Sequence, residues 1–149
     1  MVRVKNRYFV VQVNRENDQP VSVLKMSASL LNDCIKEKVQ DLYGDFGVAA
    51  IHAGFTAKYC NEYTRIAIIR ARKGPHRMVA ASVPCVKEAH GKPIALNILY
   101  VGSSMRHCFI FIKNYQEKRF NEFCCNLKTD EEKEEIRKIL LNLDSVLNV

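Results

Sequence analysis

The 149-residue sequence has no apolar stretch approaching the about 18 residues that a membrane-spanning helix needs. It has no low-complexity tract, no internal repeat and no linker rich in Pro, Gly or Ser, so one domain over 1–149 is expected. The first residues, Met1 to Arg7, are basic and run into a short alternating segment, not into the apolar core of a secretory signal. The expectation is a soluble, intracellular protein without a membrane partner. Disorder is excluded by a hydrophobic share of 48%. Six cysteines are present, but no C-x-x-C pair. The adjacent Cys124 and Cys125 are poorly placed to put both sulfurs on one ion, and most of the others fall on apolar faces. They read as reduced, structural thiols in a reducing compartment, with no metal and no cofactor.

Acid is scarce: 16 Asp and Glu stand against 23 Lys and Arg, a net charge of +7. The excess is uneven. Residues 1–128 carry 20 basic and 10 acidic side chains, whereas 129–149 carry 3 and 6. A cationic body of this kind favours polyanions such as nucleic acid.

Arg7 to Asn14 alternates as a strand does, and the polar Arg15 to Pro20 turn follows. Ser27 reads as the N-cap of a helix with Leu30, Leu31, Cys34, Ile35, Val39 and Leu42 at helical spacing, ending at Gly44. Val48 to Cys60 and Tyr63 to Arg72 read as strands joined at Asn61-Glu62. Gly74-Pro75 opens a second helix to about Ala89, kinked at Pro84. After the loop His90 to Pro93, Ile94 to Val101 is a nearly continuous apolar strand. A long helix begins after Ser103-Ser104 and carries Met105, Cys108, Phe109, Ile112 and Tyr115, continuing through Phe120, Phe123, Cys124 and Leu127. Thr129 to Glu132 is a capping box for a last helix with a stripe from Ile136 to Leu147. The order predicts an α+β, ferredoxin-like or RNA-recognition-like β-α-β-β-α-β sandwich, with two additional C-terminal helices packing on the sheet. Phe109, Phe111 and Phe120 point around the long helix, so a subunit interface is expected to take at least one of them.

No catalytic constellation emerges. No cysteine sits in a nucleophile motif, and His52, His76, His90 and His107 have no metal-ligand spacing. An acylphosphatase-like enzyme on this fold would need a glycine-rich phosphate loop after the first strand, where this chain has R-E-N-D-Q-P.

Three cationic or phosphate-suited features stand out. Arg3, Lys5 and Arg7 share one side of an extended chain that leads into Phe9, Val11 and Val13. Arg70, Arg72, Lys73 and Arg77 cluster at the end of the third strand and around the turn into the second helix. Ser103, Ser104 and Arg106 follow Gly102 at the start of the long helix. Each reads either as a phosphate contact or as a solvated terminus, turn or cap. The K/R-G-F/Y-G/A-F-V-x-F/Y strand of an RNA-recognition motif is missing, because the third strand reads Tyr63-Thr64-Arg65-Ile66-Ala67-Ile68-Ile69-Arg70. Recognition of phosphate and shape in a folded RNA is therefore expected, not base stacking on the sheet.

The opening Met1-Val2-Arg3-Val4-Lys5-Asn6-Arg7-Tyr8, then Gly44-Asp45-Phe46-Gly47, then Tyr59, Asn61 and Thr64 before Ile68 to Lys73, then Val101-Gly102 before Met105-Arg106, and last the acidic Asp130-Glu131-Glu132, come in a telling order. Together they resemble the small "processing of precursors" subunit family of eukaryotic ribonuclease P and ribonuclease MRP, which has archaeal counterparts. The chain departs from the pattern at Thr64-Arg65, where many members have Thr-Gly, and at Gly102-Ser103-Ser104, where they tend to a glycine-rich turn. The resemblance implies a ferredoxin-like sandwich with added helices in a non-catalytic subunit. Such a subunit binds and braces the ribonuclease P RNA or the MRP RNA, which itself removes the 5′ leader from precursor tRNA or processes precursor rRNA. It also implies a barrel-shaped protein partner, a small paralogous subunit of similar fold, and a place in the nucleus and nucleolus. A ribosomal or other structured-RNA-binding protein is the alternative that charge and fold leave open.

Overall fold

The computed structural model describes residues 3–15, 25–125 and 130–141, in two compact units, 1–108 and 109–149. The Arg15 to Pro20 turn beyond Arg15, Leu127, Thr129 of the capping box, and the stripe beyond Leu141 lie outside the described residues.

In the first unit, β1 (Asn6–Arg15) leads to α1 (Ala28–His52), β2 (Thr56–Cys60), β3 (Ile66–Arg72), α2 (His76–Ser82), a 3₁₀ turn (Val83–Cys85), β4 (Glu88–Ala89) and β5 (Lys92–Gly102). The sheet order β2-β3-β1-β5-β4, with every neighbouring pair antiparallel, is that of the expected β-α-β-β-α-β arrangement with a short edge strand added. Both helical crossovers skip one strand: α1 carries the chain past β3's place, and α2 carries it past β1.

Strand alternation decides which residues meet α1 and α2. Phe9, Val11 and Val13 of β1, Ala67, Ile69 and Ala71 of β3, and Ile94 and Leu96 of β5 form one face, packed with Leu31, Ile35, Val39 and Ile51 of α1 and Val79 of α2. The opposite face is apolar as well, with Val10, Ile66 and Ile68 buried. Two-sided burial explains why β3 reads as a continuous apolar run.

Four local expectations change. Residues 45–52 are helical, so Val48 to His52 is not strand. Gly44 does break the helix, at φ 64 and ψ −157, but Ala49 and Ala50 favour its resumption and Gly47 and Ile51 face the core one turn apart. That backbone region belongs almost exclusively to glycine, and any other residue there would be strained by about 1–3 kcal/mol. Secondly, β3 begins at Ile66, not Tyr63. The Asn61 side chain accepts hydrogen bonds from the amides of Tyr63 (2.8 Å) and Thr64 (3.1 Å), which turns Asn61–Arg65 into a loop. Arg65 sits there at φ 58, the left-handed region that suits the glycine of the Thr-Gly pattern.

Thirdly, α2 stops at Ser82 and does not run to Ala89. Pro84 lacks the N–H that an α-helix would use, so the chain passes through the 3₁₀ turn instead. Fourthly, Glu88-Ala89 pairs with Lys92-Pro93 around His90 (φ 49) and Gly91 (φ 69), the positive angles of a two-residue hairpin turn.

α3 (Met105–Cys124) starts in the first unit and continues in the second, followed by α4 (Asp130–Leu141). In the second unit Ile112 and Gln116 are buried, Phe109, Phe111 and Phe120 are half-buried, and Ile110 and Phe123 are exposed. Phe111 stacks on Tyr115 with ring centroids 6.0 Å apart, and the Arg119 guanidinium lies 5.9 Å from the Tyr115 ring. Asp130, Glu131 and Glu132 occupy the first turn of α4, where a helix end favours negative charge. Among the described residues no helix is long and apolar enough to cross a membrane.

Candidate nucleic-acid interface

Sheet register joins what the sequence separates. Asn6 of β1 pairs with Arg72 of β3 and Tyr8 with Arg70, so the beginning of β1 lies beside the end of β3. Beyond the last pair, the Lys73 amide donates to the Lys5 carbonyl at 2.8 Å and extends the ladder. On its other side Tyr8 pairs with Gly102, which brings in the turn Ser103-Ser104 and the first residues of α3. The three features therefore meet at one end of the sheet. Arg3–Tyr8, Arg70–Arg77 and Gly102–His107 contain no acidic residue between them.

The cations flank both faces of that end. Arg7 shares the alternation of Phe9 and lies on the side of α1 and α2, whereas Arg70 and Arg72 follow Ile66 and Ile68 on the other side. Arg3, Lys5, Arg72, Lys73, Arg77, Ser103 and Arg106 are exposed, and Arg7, Arg70 and Ser104 are half-buried. Arg7 turns its Nη1 to the Asn6 carbonyl (3.2 Å). Arg70 donates from Nε to the Gly54 carbonyl at 3.3 Å, tying β3 to the α1–β2 turn while leaving the outer part of its guanidinium unused by that bond. The Arg72 stem runs over Gly54, where a side chain would come within 3.3 Å of its Cγ.

His76 belongs to this cluster although its spacing gave no role for it. Its ring lies 6.5 Å from that of Phe9. Burial, then Arg7, Arg77 and Lys73, hold its pKa below the usual 6.5. A neutral imidazole crowded by three cations is the electrostatic signature of a site short of negative charge. The R-K-G-P-H-R run that contains it was the available signal.

Two backbone expectations are revised. At the α2 turn, Gly74 N–H donates to His76 Nδ1 (3.0 Å), and those of Arg77 and Met78 donate to the carbonyls of Gly74 (3.3 Å) and Pro75 (3.0 Å). These amides are already used, so an anion there would meet side chains. Gly102 is small for packing: a Cβ would lie 2.9 Å from Tyr100 Cε1 and 3.3 Å from Cys108 Sγ. Ser104 caps α3, its Oγ accepting from the His107 amide (3.4 Å) and lying 2.9 Å from His107 Nδ1.

Three of the thiols are tuned away from nucleophilic chemistry. Burial, with help from Glu62, pushes Cys60 up to about 11, and burial raises Cys108 to about 11. Burial and the nearby Glu37 and Asp33 also raise Cys34. All six cysteines are free. Among the described residues no group of three or more His, Cys, Asp or Glu is placed to hold a metal ion.

Fold and site thus define an α+β, ferredoxin-like domain with a cationic sheet end. The family model described as the Rpp14/Pop5 family matches residues 7–113, and the chain belongs to that family. Among its relatives, the Bos taurus ribonuclease P/MRP protein subunit POP5 is 32% identical over 93% of this chain and 82% of that protein. The Homo sapiens subunit of the same name is 30% identical over 93% and 86%. A chain in a cryo-EM structure of yeast ribonuclease MRP has the same fold, with a TM-score of 0.54 at 16% identity, covering 84% of this chain and 98% of that one.

Proposed function

We propose that the whole chain acts as one non-catalytic protein subunit of the ribonuclease P and ribonuclease MRP ribonucleoproteins. It binds and braces the RNA that removes 5′ leaders from precursor tRNA and processes precursor rRNA. The carrying observation is the convergence of Lys5, Arg72 and Lys73, with the β5–α3 turn beside them, at one acid-free end of the sheet. Family membership supports the choice of particle.

RNA phosphates are held by Arg3, Lys5, Arg7, Arg70, Arg72, Lys73, Arg77 and Arg106, with Ser103 and Ser104 as hydroxyl donors at the rim. Phosphate contact suits this geometry because the cations surround one end of the sheet and offer no flat aromatic platform. The reaction is left to the RNA component. A barrel-shaped protein subunit and a small paralogous subunit of similar fold are the protein partners, and the nucleus and nucleolus the location.

Purifying the tagged chain from its own cells and sequencing the attached RNA tests the reading. Ribonuclease P RNA and MRP RNA together are expected. Recovery of ribosomal RNA alone, or of no RNA, would overturn it.

A further inference from the structure

The Gly44-Asp45-Phe46-Gly47 segment has no part in the cationic sheet end, yet the kink it makes in α1 is closely specified. Gly44 takes a conformation foreign to other residues. Any side chain at Gly47 would overlap the Cβ of Tyr43, so the helix after the kink lies directly against the helix before it. Gln40 Nε2 donates to Asp45 Oδ1 at 2.8 Å, a side-chain bridge across the break. Three independent features hold one bend.

The bend presents apolar surface to solvent. Phe46 is 74% exposed, Leu42 48% and Tyr43 39%, three outward apolar positions around the kink of a helix that buries Leu31, Ile35 and Val39 fully. A solvated helix face has no use for this chemistry, whereas an interface uses aromatic anchors of this kind. The charge around the anchors runs against the rest of the molecule. Residues 37–46 carry three acids, Glu37, Asp41 and Asp45, against Lys38, which is itself engaged by Asp41 at 2.8 Å. An adjoining groove is mixed in charge, with Glu37, Asp41 and Glu88 beside Lys38 and Lys87, so the acid excess belongs to the helix itself. An RNA backbone would be repelled here, so the exposed aromatics are not a base-stacking platform.

We propose that the α1 kink is a protein-docking knuckle: Phe46, Tyr43 and Leu42 seat in an apolar socket on a partner protein whose rim carries Lys or Arg side chains facing Glu37, Asp41 and Asp45. The proposal rests on the reading of the chain as a subunit of a protein-rich particle and assigns one surface within it. The kink supplies a rigid, preorganised anchor, so docking orders little. The acidic rim selects a cationic partner surface and rejects both RNA and acidic proteins.

The test is photocrosslinking in the intact particle. A photoreactive phenylalanine replaces Phe46 in the tagged full-length chain, the particle is purified, irradiated and digested, and the crosslinked segment is identified. The expected product joins position 46 to a protein other than this chain, at a segment with apolar residues beside Lys or Arg. In parallel, Phe46→Ala combined with Leu42→Ala is expected to reduce recovery of that same protein at least tenfold, while the far-UV circular dichroism of the purified chain is unchanged. Crosslinks to RNA, to a second copy of the chain or to an acidic segment would overturn the proposal, as would no crosslink or undiminished recovery with the double variant. The RNA content of the same particle reports separately: a missing ribonuclease P or MRP RNA counts against the function proposed above, whatever position 46 touches.

Discussion

The sheet end and the α1 kink lie in the same unit and are built in opposite ways. At the sheet end, backbone pairing gathers Lys5, Arg72 and Lys73 from distant parts of the sequence, and the surrounding segments contain no acid. At the kink, the eleven consecutive residues 37–47 make the whole feature, with three acids, one lysine and three outward apolar side chains. The net charge of +7 conceals this division. A cationic total describes an average, whereas each partner meets a local field. The two surfaces suit different classes of partner, and they should fail separately when altered.

Charge removal at the sheet end gives the largest expected effect. Arg72→Ala with Lys73→Ala and Arg77→Ala should flatten the salt dependence of RNA binding by about 2–2.7 log units per log salt, from about 0.7–0.9 per phosphate contact. The corresponding affinity loss is roughly a hundredfold at about 0.15 M salt. Filter binding of the purified chain to ribonuclease P RNA across a salt series measures both. Equal losses from Glu37→Lys with Asp45→Lys would erase the distinction between the surfaces.

Next in size is the kink's own stability. Gly44→Ala should cost about 1–3 kcal/mol through its backbone angle, and Gly47→Ala a similar amount through the clash with Tyr43. Phe46→Ala should stay within about 0.5 kcal/mol, as an exposed side chain. Denaturant unfolding separates the three, and a large loss for Phe46→Ala would mean that the ring supports the fold. Removing the α3 cap with Ser104→Ala should cost about 1 kcal/mol by the same measurement.

The smallest effect expected is a pH dependence at His76. Its folded pKa lies below the ordinary 6.5, so above 6.5 both folded and unfolded forms are neutral and stability is complete. As pH falls below that value the unfolded chain binds the proton first, and stability drops until the folded form titrates too. RNA phosphate reverses the local field and favours the imidazolium, so RNA should bind more tightly at lower pH. Both trends should disappear in His76→Asn, checked by unfolding and by binding between about pH 7.5 and 5.5, a range centred on the unperturbed histidine value.

The strand and helix order was legible because its signals are local. Alternation marks β1, Ser27 caps α1, and a continuous apolar run marks β5. Gly44 was correctly a break and wrongly an end, because a single residue's conformation does not show whether the helix resumes. Pro84 was visible, but a kink and a termination look alike until Glu88-Ala89 finds Lys92-Pro93. Every candidate RNA-contact residue was legible as a cation or hydroxyl. Their meeting was not, because register between β1, β3 and β5 is a tertiary fact. The setting of His76 is legible only in part for the same reason: Lys73 and Arg77 are its neighbours in sequence, whereas Arg7 reaches it from β1.

Ultraviolet crosslinking of the purified particle, with RNA-bearing peptides of this chain mapped by mass spectrometry, tests the central claim most directly. Crosslinks should fall in residues 3–8, 70–77 and 103–106. Crosslinks confined to residues 40–60 or to α4, with those three segments unmarked, would contradict it.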